Sequence, residues 1–138
     1  MATKLFKIQT DINKSHNGVS IQYPGTDFHV GIRRGDNPRF EEAVRDLRME
    51  SQGKKLLTGE LNSREALNIM APAVARHIIV DWKNLADNDG NPIPYSPQKA
   101  MEILQDPEST DLYLWVMKQA NDPSNFRKQQ AEAEAQGN

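Results

Sequence analysis

The stretch NSREALNIMAPAVARHIIVDWKNLADNDGNPIPY, residues 62–95, decides how the chain folds. Leu67, Met70, Ala71, Val74, Ile78, Trp82 and Leu85 recur at steps of three and four, which puts them on one stripe of a long amphipathic helix. Asn62 followed by Glu65 predicts a capping box at its start. The run 87–92 predicts its end, because Gly90 tolerates positive φ and Pro92 cannot continue a helical ladder. Trp82, at the end of the stripe, reads as a core residue around which the C-terminal helices fold. Pro72 conflicts with this pattern, since its ring meets the Asn68 carbonyl and removes one hydrogen bond. The stripe continues in register across it, which predicts a kink rather than a break near 70–72.

Upstream, residues 4–10 alternate and predict a short strand with one wet face, and residues 11–17 are turn-rich. Segments 19–23 and 28–32 also alternate, and the four residues 24–27 between them predict a β-hairpin. So small a sheet must lean on helices or on a neighbouring subunit.

From Arg34 onward the punctuation is helical. Asn37-Pro38, Ser96-Pro97, Asp106-Pro107 and Asp122-Pro123 each set a capping residue before a proline at the first helical position, where the missing N–H costs nothing. These pairs predict helices near 38–52, 97–105, 107–120 and 123–134. Phe40, Ala43, Val44 and Leu47 give the first its apolar stripe, and Ala100, Ile103 and Leu104 serve the second. Phe126 is the strong anchor of the last, whose polar tail frays unless a partner orders it. The expected fold class is α+β and predominantly helical: one domain over 1–138, with a β-hairpin region at 4–33 and about five helices in 37–135 ending in a flexible C-terminus.

Length supports one domain with a real core. A mean hydropathy of −0.74 suits a highly solvated domain, or one whose apolar surface a partner completes. No run approaches the ~18 apolar residues of a membrane helix. The opening MATKLFKIQT lacks the apolar core of a signal peptide, which predicts a cytosolic protein. Without cysteine there is no disulfide scaffold and no thiolate metal site. Residues 1–55 carry 10 basic against 7 acidic side chains and residues 56–138 carry 7 against 12, a poor footprint for nucleic acid.

Catalytic motifs are missing. There is no GxSxG, P-loop, HExxH or Gly-rich dinucleotide loop, and no serine, threonine or lysine stands in a recognisable activating context. In the calcium-loop spacing that Asp87-Asn-Asp-Gly suggests, the first and twelfth ligands fall on Leu85 and Ser96, so the run reads as a turn. His77 and Asp81, one helical turn apart, read as a local pair without a third metal ligand. The expectation is no catalytic, cofactor-binding or metal-binding residues. Arg33 and Arg34, in the turn between sheet and first helix, read either as a solvated connector or as a contact for an acidic partner surface. Leu112, Leu114, Trp115, Val116 and Met117 span more than one face of helix 107–120. A single chain cannot easily bury them all, so Leu112, Trp115, Val116, Arg33 and Arg34 are the candidate partner-binding residues.

A family likeness runs through these motifs. Ile32-Arg33-x-Gly-x-Asn37-xx-Phe40 follows the hairpin. Then come Asp81-Trp82, Asp89-Gly90-x-Pro92-x-Pro94-Tyr95-Ser96, Leu104-x-Asp106-Pro107, Asp111-Leu112, Ala120, Phe126 and a Glu/Ala-rich end closing on Asn138. In this order they resemble the tail assembly chaperones of long-tailed bacteriophages over essentially the whole chain. The resemblance implies a non-enzymatic protein of the host cytoplasm that binds the tape-measure protein during tail assembly and is absent from the finished particle. In many such proteins a longer, frameshifted product also recruits tail-tube subunits. The tail-tube protein and a second copy of the chain are therefore further candidate partners, and neither nucleic acid nor membrane is expected. The alternative expectation is a structural tail or connector protein of the virion, its hairpin adding strands between subunits.

Overall fold

The computed structural model describes residues 1–129, with the backbone alone for 51–53. A 3-10 turn at Leu5–Ile8 leads into α1 (Ile12–Asn17), then β1 (Val19–Gln22) and β2 (His29–Ile32). The helices α2 (Pro38–Met49), α3 (Ser51–Thr58) and α4 (Ser63–His77) follow, then β3 (Ile79–Lys83), α5 (Pro97–Gln105) and α6 (Thr110–Ala120). Among the described residues the fold is mostly helical with one antiparallel sheet, α+β as expected.

All four residue–proline pairs open a helical turn. Asn37 Oδ1 accepts from the Phe40 amide, Ser96 Oγ from Lys99, Asp106 Oδ1 from Glu108 and Asp122 Oδ1 from Ser124. The capping box is present too, with Asn62 and Glu65 bonding reciprocally at 2.8 and 3.3 Å. Helix α5 has the expected bounds. In the 107–120 segment a 3-10 turn at Pro107–Ser109 precedes α6. The first helix stops at Met49 rather than 52, and α3 restarts after Glu50.

The central helix is shorter than its apolar stripe. It runs unbroken through Pro72 but ends at His77, and Ile79–Lys83 forms the third strand. The physical reason is the β-branched run Ile78-Ile79-Val80, which fits a pleated surface better than a helix. His77 and Asp81 therefore do not sit one helical turn apart. The 37–135 region is not purely helical, and the third strand of the sheet is β3, not 4–10. Residues 4–10 instead form the 3-10 turn and a single bridge, Thr10 to Arg127, because among the described residues no strand lies beside them to pair with. Residues 11–17, read as turn, contain α1, capped by Asp11. Segment 123–134 begins as a 3-10 turn at Pro123–Phe126 and then extends at Arg127; the expected flexible end, 130–138, lies outside the described residues.

The sheet order is β1-β2-β3, with Val19 opposite Ile32, Gln22 opposite His29, and Val30 opposite Trp82. Val30, Ile32, Ile79 and Trp82 are buried on one face, where Ala71, Val74, Ala75, Leu104, Tyr113 and Val116 also belong to the core. Ser20, Gln22, Asp81 and Lys83 are exposed. A bulge between Gly31 and Ile32 lifts Val80 out of register, and its methyl overlies Gly31. A Cβ on Gly31 would lie 2.8 Å from that methyl, so only glycine fits there. Trp82 is core, as read: its Nε1 donates to the Ile93 carbonyl at 2.8 Å, and its ring meets Tyr95 and Phe28 edge-on.

Candidate functional site

Helix α6 places its apolar residues on three sides. Tyr113, Val116 and Ala120 form the face that points into the core. Leu112 and Trp115, three residues apart, make one flank; Leu114 and Met117 make the other. Val116 is fully buried, which removes it from any partner surface in this fold. Leu112 and Trp115 are half-buried against the core cluster, and the Trp115 ring stands edge-on to Tyr23 with centroids 5.0 Å apart. Only Leu114, 54% exposed, projects well clear of the helix. The apolar void beneath this helix, walled by Phe28, Trp82, Leu112 and Val116 among others, measures about 10 Å³, room for no more than one water. A single chain buries most of what the sequence reading assigned to a partner.

Arg33 and Arg34 are adjacent but do different things. The backbone N–H of Arg34 donates to the Ser15 carbonyl, its Nη1 to Thr10 Oγ1 at 3.0 Å, and its Nε lies 3.3 Å from Asp36. It is a structural pin between the turn and the N-terminal segment. Arg33 donates Nε to the His16 carbonyl at 2.8 Å, and its terminal nitrogens have no hydrogen-bond partner among the described residues. Neither arginine shares a hydrogen bond or ring contact with Trp115 among the described residues, and Val116 is buried, so the five candidates are not joined into one surface by any such contact.

The strongest outward apolar feature is one the sequence reading missed. Leu5, Ile8 and Ile12 are 63%, 66% and 61% exposed. The 3-10 turn puts Leu5 and Ile8 on one side, since residues three apart eclipse in that geometry. This arm is held firmly. The Asp11 amide donates to the Phe126 carbonyl at 2.6 Å, Lys128 donates to Gln9, and Arg127 Nη1 reaches the Lys7 carbonyl. Lys14 Nζ adds a bond to the Arg127 carbonyl at 3.0 Å. Its signal was the spacing of Leu5, Ile8 and Ile12, which alternation masked. A second apolar projection comes from α2 and α3, where Met49 and Leu57 are exposed.

The titratable groups are shifted by local causes. His77 lies below its ordinary value, first through burial and then through Arg33, Arg76 and Arg39. Asp87 is lowered mainly by the Asn91 amide and Asp122 mainly by the Ser124 hydroxyl, both being turn and cap carboxylates. Burial raises Tyr113 far above its ordinary value, and its hydroxyl has no hydrogen-bond partner among the described residues. Among the described residues no three His, Asp or Glu side chains are grouped to hold a metal ion. No helix among them is long and apolar enough to cross a membrane.

Compared with known families, residues 35–138 match the family described as YdaY prophage protein, leaving the hairpin and the N-terminal arm outside the match. No curated protein and no solved structure matches the chain.

Proposed function

Because the chain belongs to the YdaY prophage protein family, we propose that it serves phage assembly by binding rather than by catalysis. It acts as a tail assembly chaperone in the host cytoplasm, holding the tape-measure protein until the tail forms, with tail-tube protein as a second client. The observation that carries this reading is the arm: three aliphatic side chains held in water by a network of backbone hydrogen bonds. Exposed aliphatics on a fixed scaffold lose little entropy when a client helix covers them, which suits reversible capture of an apolar protein. The prophage origin and the ordered resemblance to tail assembly chaperones support the same client.

A virion component is the second reading, favoured by the sheet edge. Strand β1 pairs with β2 on one side only among the described residues, and an open edge can accept a strand from another subunit. One experiment separates the two. Tagged protein is captured from phage-producing cells, and both the eluate and purified particles are analysed by mass spectrometry. A long helical phage protein in the eluate, with this chain missing from particles, is the expected result. Several copies per particle would overturn the chaperone reading in favour of the structural one.

A further inference from the structure

A cleft of about 310 Å³ opens between the end of α1 and the start of α2, lined by His16, Asn17, Arg33, Asn37 and Arg39. Arg33 is built into it. Its backbone N–H donates to the Ile78 carbonyl at 2.7 Å and its Nε to His16, which fixes the guanidinium and leaves its terminal amino edge open. Arg39 is exposed and has no ion pair or hydrogen bond among the described residues. Arg76 stands close enough to act with Arg33 and Arg39 on His77. Arg76 does not line the cleft; it faces a neighbouring depression with His77, Asp46 and Glu50, which leaves Arg33 and Arg39 as the cations of the cleft itself. Among the carboxylates, Glu42 is the one that acts on His77, and Asp36 is taken by Arg34 at 3.3 Å. Asp81, which acts with Arg33 on Tyr95, stands on the sheet side. The start of α2 adds little of its own, because Asn37 already caps it and Pro38 has no N–H.

We propose that this cleft binds a carboxylate presented by an acidic polypeptide segment of a partner protein. An open guanidinium edge meets a carboxylate with two parallel hydrogen bonds, and a pre-positioned arginine does so at reduced entropic cost. Two cations, Arg33 and Arg39, line the same cleft. A nucleic-acid strand, with a phosphate at every residue, needs a continuing run of cations, whereas two arginines at one cleft suit a single carboxylate. The inference goes beyond apolar capture and does not depend on which phage protein is the client.

The test uses the full chain, ¹⁵N-labelled, titrated separately with hexaglutamate, inorganic phosphate and a 20-nucleotide single-stranded DNA. Hexaglutamate is expected to shift the Arg33 side-chain Nε–H and the amides of Asn17 and Arg39, with an affinity that weakens as salt rises. R33Q and R39Q are each expected to weaken it about tenfold. Arg39 has no hydrogen bond or ion pair among the described residues, so R39Q keeps the test valid even if R33Q loosens His16. No shift at millimolar hexaglutamate, or equal binding by R39Q, would overturn the proposal. So would phosphate binding as tightly as the peptide, which marks a generic anion hole, or DNA binding more tightly, which marks a nucleic-acid site.

Discussion

The amide of Asp11 donates to the carbonyl of Phe126 at 2.6 Å, tying the N-terminal segment to the end of the Pro123–Phe126 turn. Phe126 itself is fully buried, so one residue anchors both the core and the arm. Phe126→Ala is expected to destabilise the fold by about 3–5 kcal/mol through lost burial and the cavity left behind. Amide exchange at Gln9, Asp11 and Lys128 should accelerate with it. Urea denaturation and hydrogen exchange read the two effects. A cost under about 1 kcal/mol would show that the arm and the core are not joined through this side chain.

The arm's outward residues should behave in the opposite way. Leu5, Ile8 and Ile12 give the fold little, since each keeps more than half of its surface in water. Replacing all three with serine is expected to leave stability within about 0.5 kcal/mol per site. Capture of the client from phage-producing cells should be lost. A variant that binds as well as the parent chain would move the binding surface to α2 and α3, where Met49 and Leu57 are exposed.

Trp115 and Tyr23 join α6 to the hairpin through an edge-on ring contact at 5.0 Å. A double-mutant cycle with Trp115→Ala and Tyr23→Ala is expected to give a coupling of about 0.5–1.5 kcal/mol, the usual worth of an aromatic pair beyond its buried area. A coupling near zero would show that Trp115 is held by α6 and the core alone, and its flank would again be open to a partner.

Tyr113 carries the one buried side-chain polar atom without a hydrogen bond among the described residues. Its ring is 2% exposed, so the hydroxyl is stripped of water and gains nothing in return. Tyr113→Phe is therefore expected to leave stability unchanged or raise it by about 1 kcal/mol, read as an upward shift in urea midpoint at constant slope. A loss of more than 1 kcal/mol would mean that the hydroxyl has a water partner.

Local chemistry was legible in the sequence wherever one residue type decides a turn. The four prolines preceded by Asn, Ser or Asp mark four helical starts because cap and proline act within a few residues of each other. The Asn62–Glu65 box and the 19–32 hairpin were legible for the same reason. What escaped depends on distant partners. Ile79–Lys83 continues the helical stripe of α4, and only pairing with β2 makes it a strand. Leu5–Ile8 alternates like a strand but finds no ladder among the described residues, where this arm is attached to Arg127 and Lys128. Of the candidate site residues, Arg33 keeps an open guanidinium edge while Val116 proves to be core. The helical period shows that α6 has an excess of apolar residues but not which side the sheet covers.

The remaining expectation concerns pH. His77 ends α4, its backbone carbonyl accepting from Asn37 Nδ2 at 3.2 Å, and its ring is held below the ordinary value of 6.5 by burial, then by Arg33, Arg76 and Arg39, with Glu42 opposing. The folded chain therefore keeps the imidazole neutral where the unfolded chain protonates it. Stability from this group is complete above about pH 6.5 and declines as pH falls toward the folded-state value, below which it changes no further. Asp87 and Asp122 act in a separate window. Their folded values lie below 3.8, so their contribution is present above that pH and is lost only as acidification passes through the folded values. His77→Gln retains the backbone bond from Asn37 and removes the titration. Urea midpoints for the parent chain are expected to drop between pH 7 and pH 5, and those for His77→Gln to stay nearly level over the same interval. Parallel curves would mean that the arginines around His77 are too well solvated to depress it, and would weaken the case for a concentrated positive field at the neighbouring cleft.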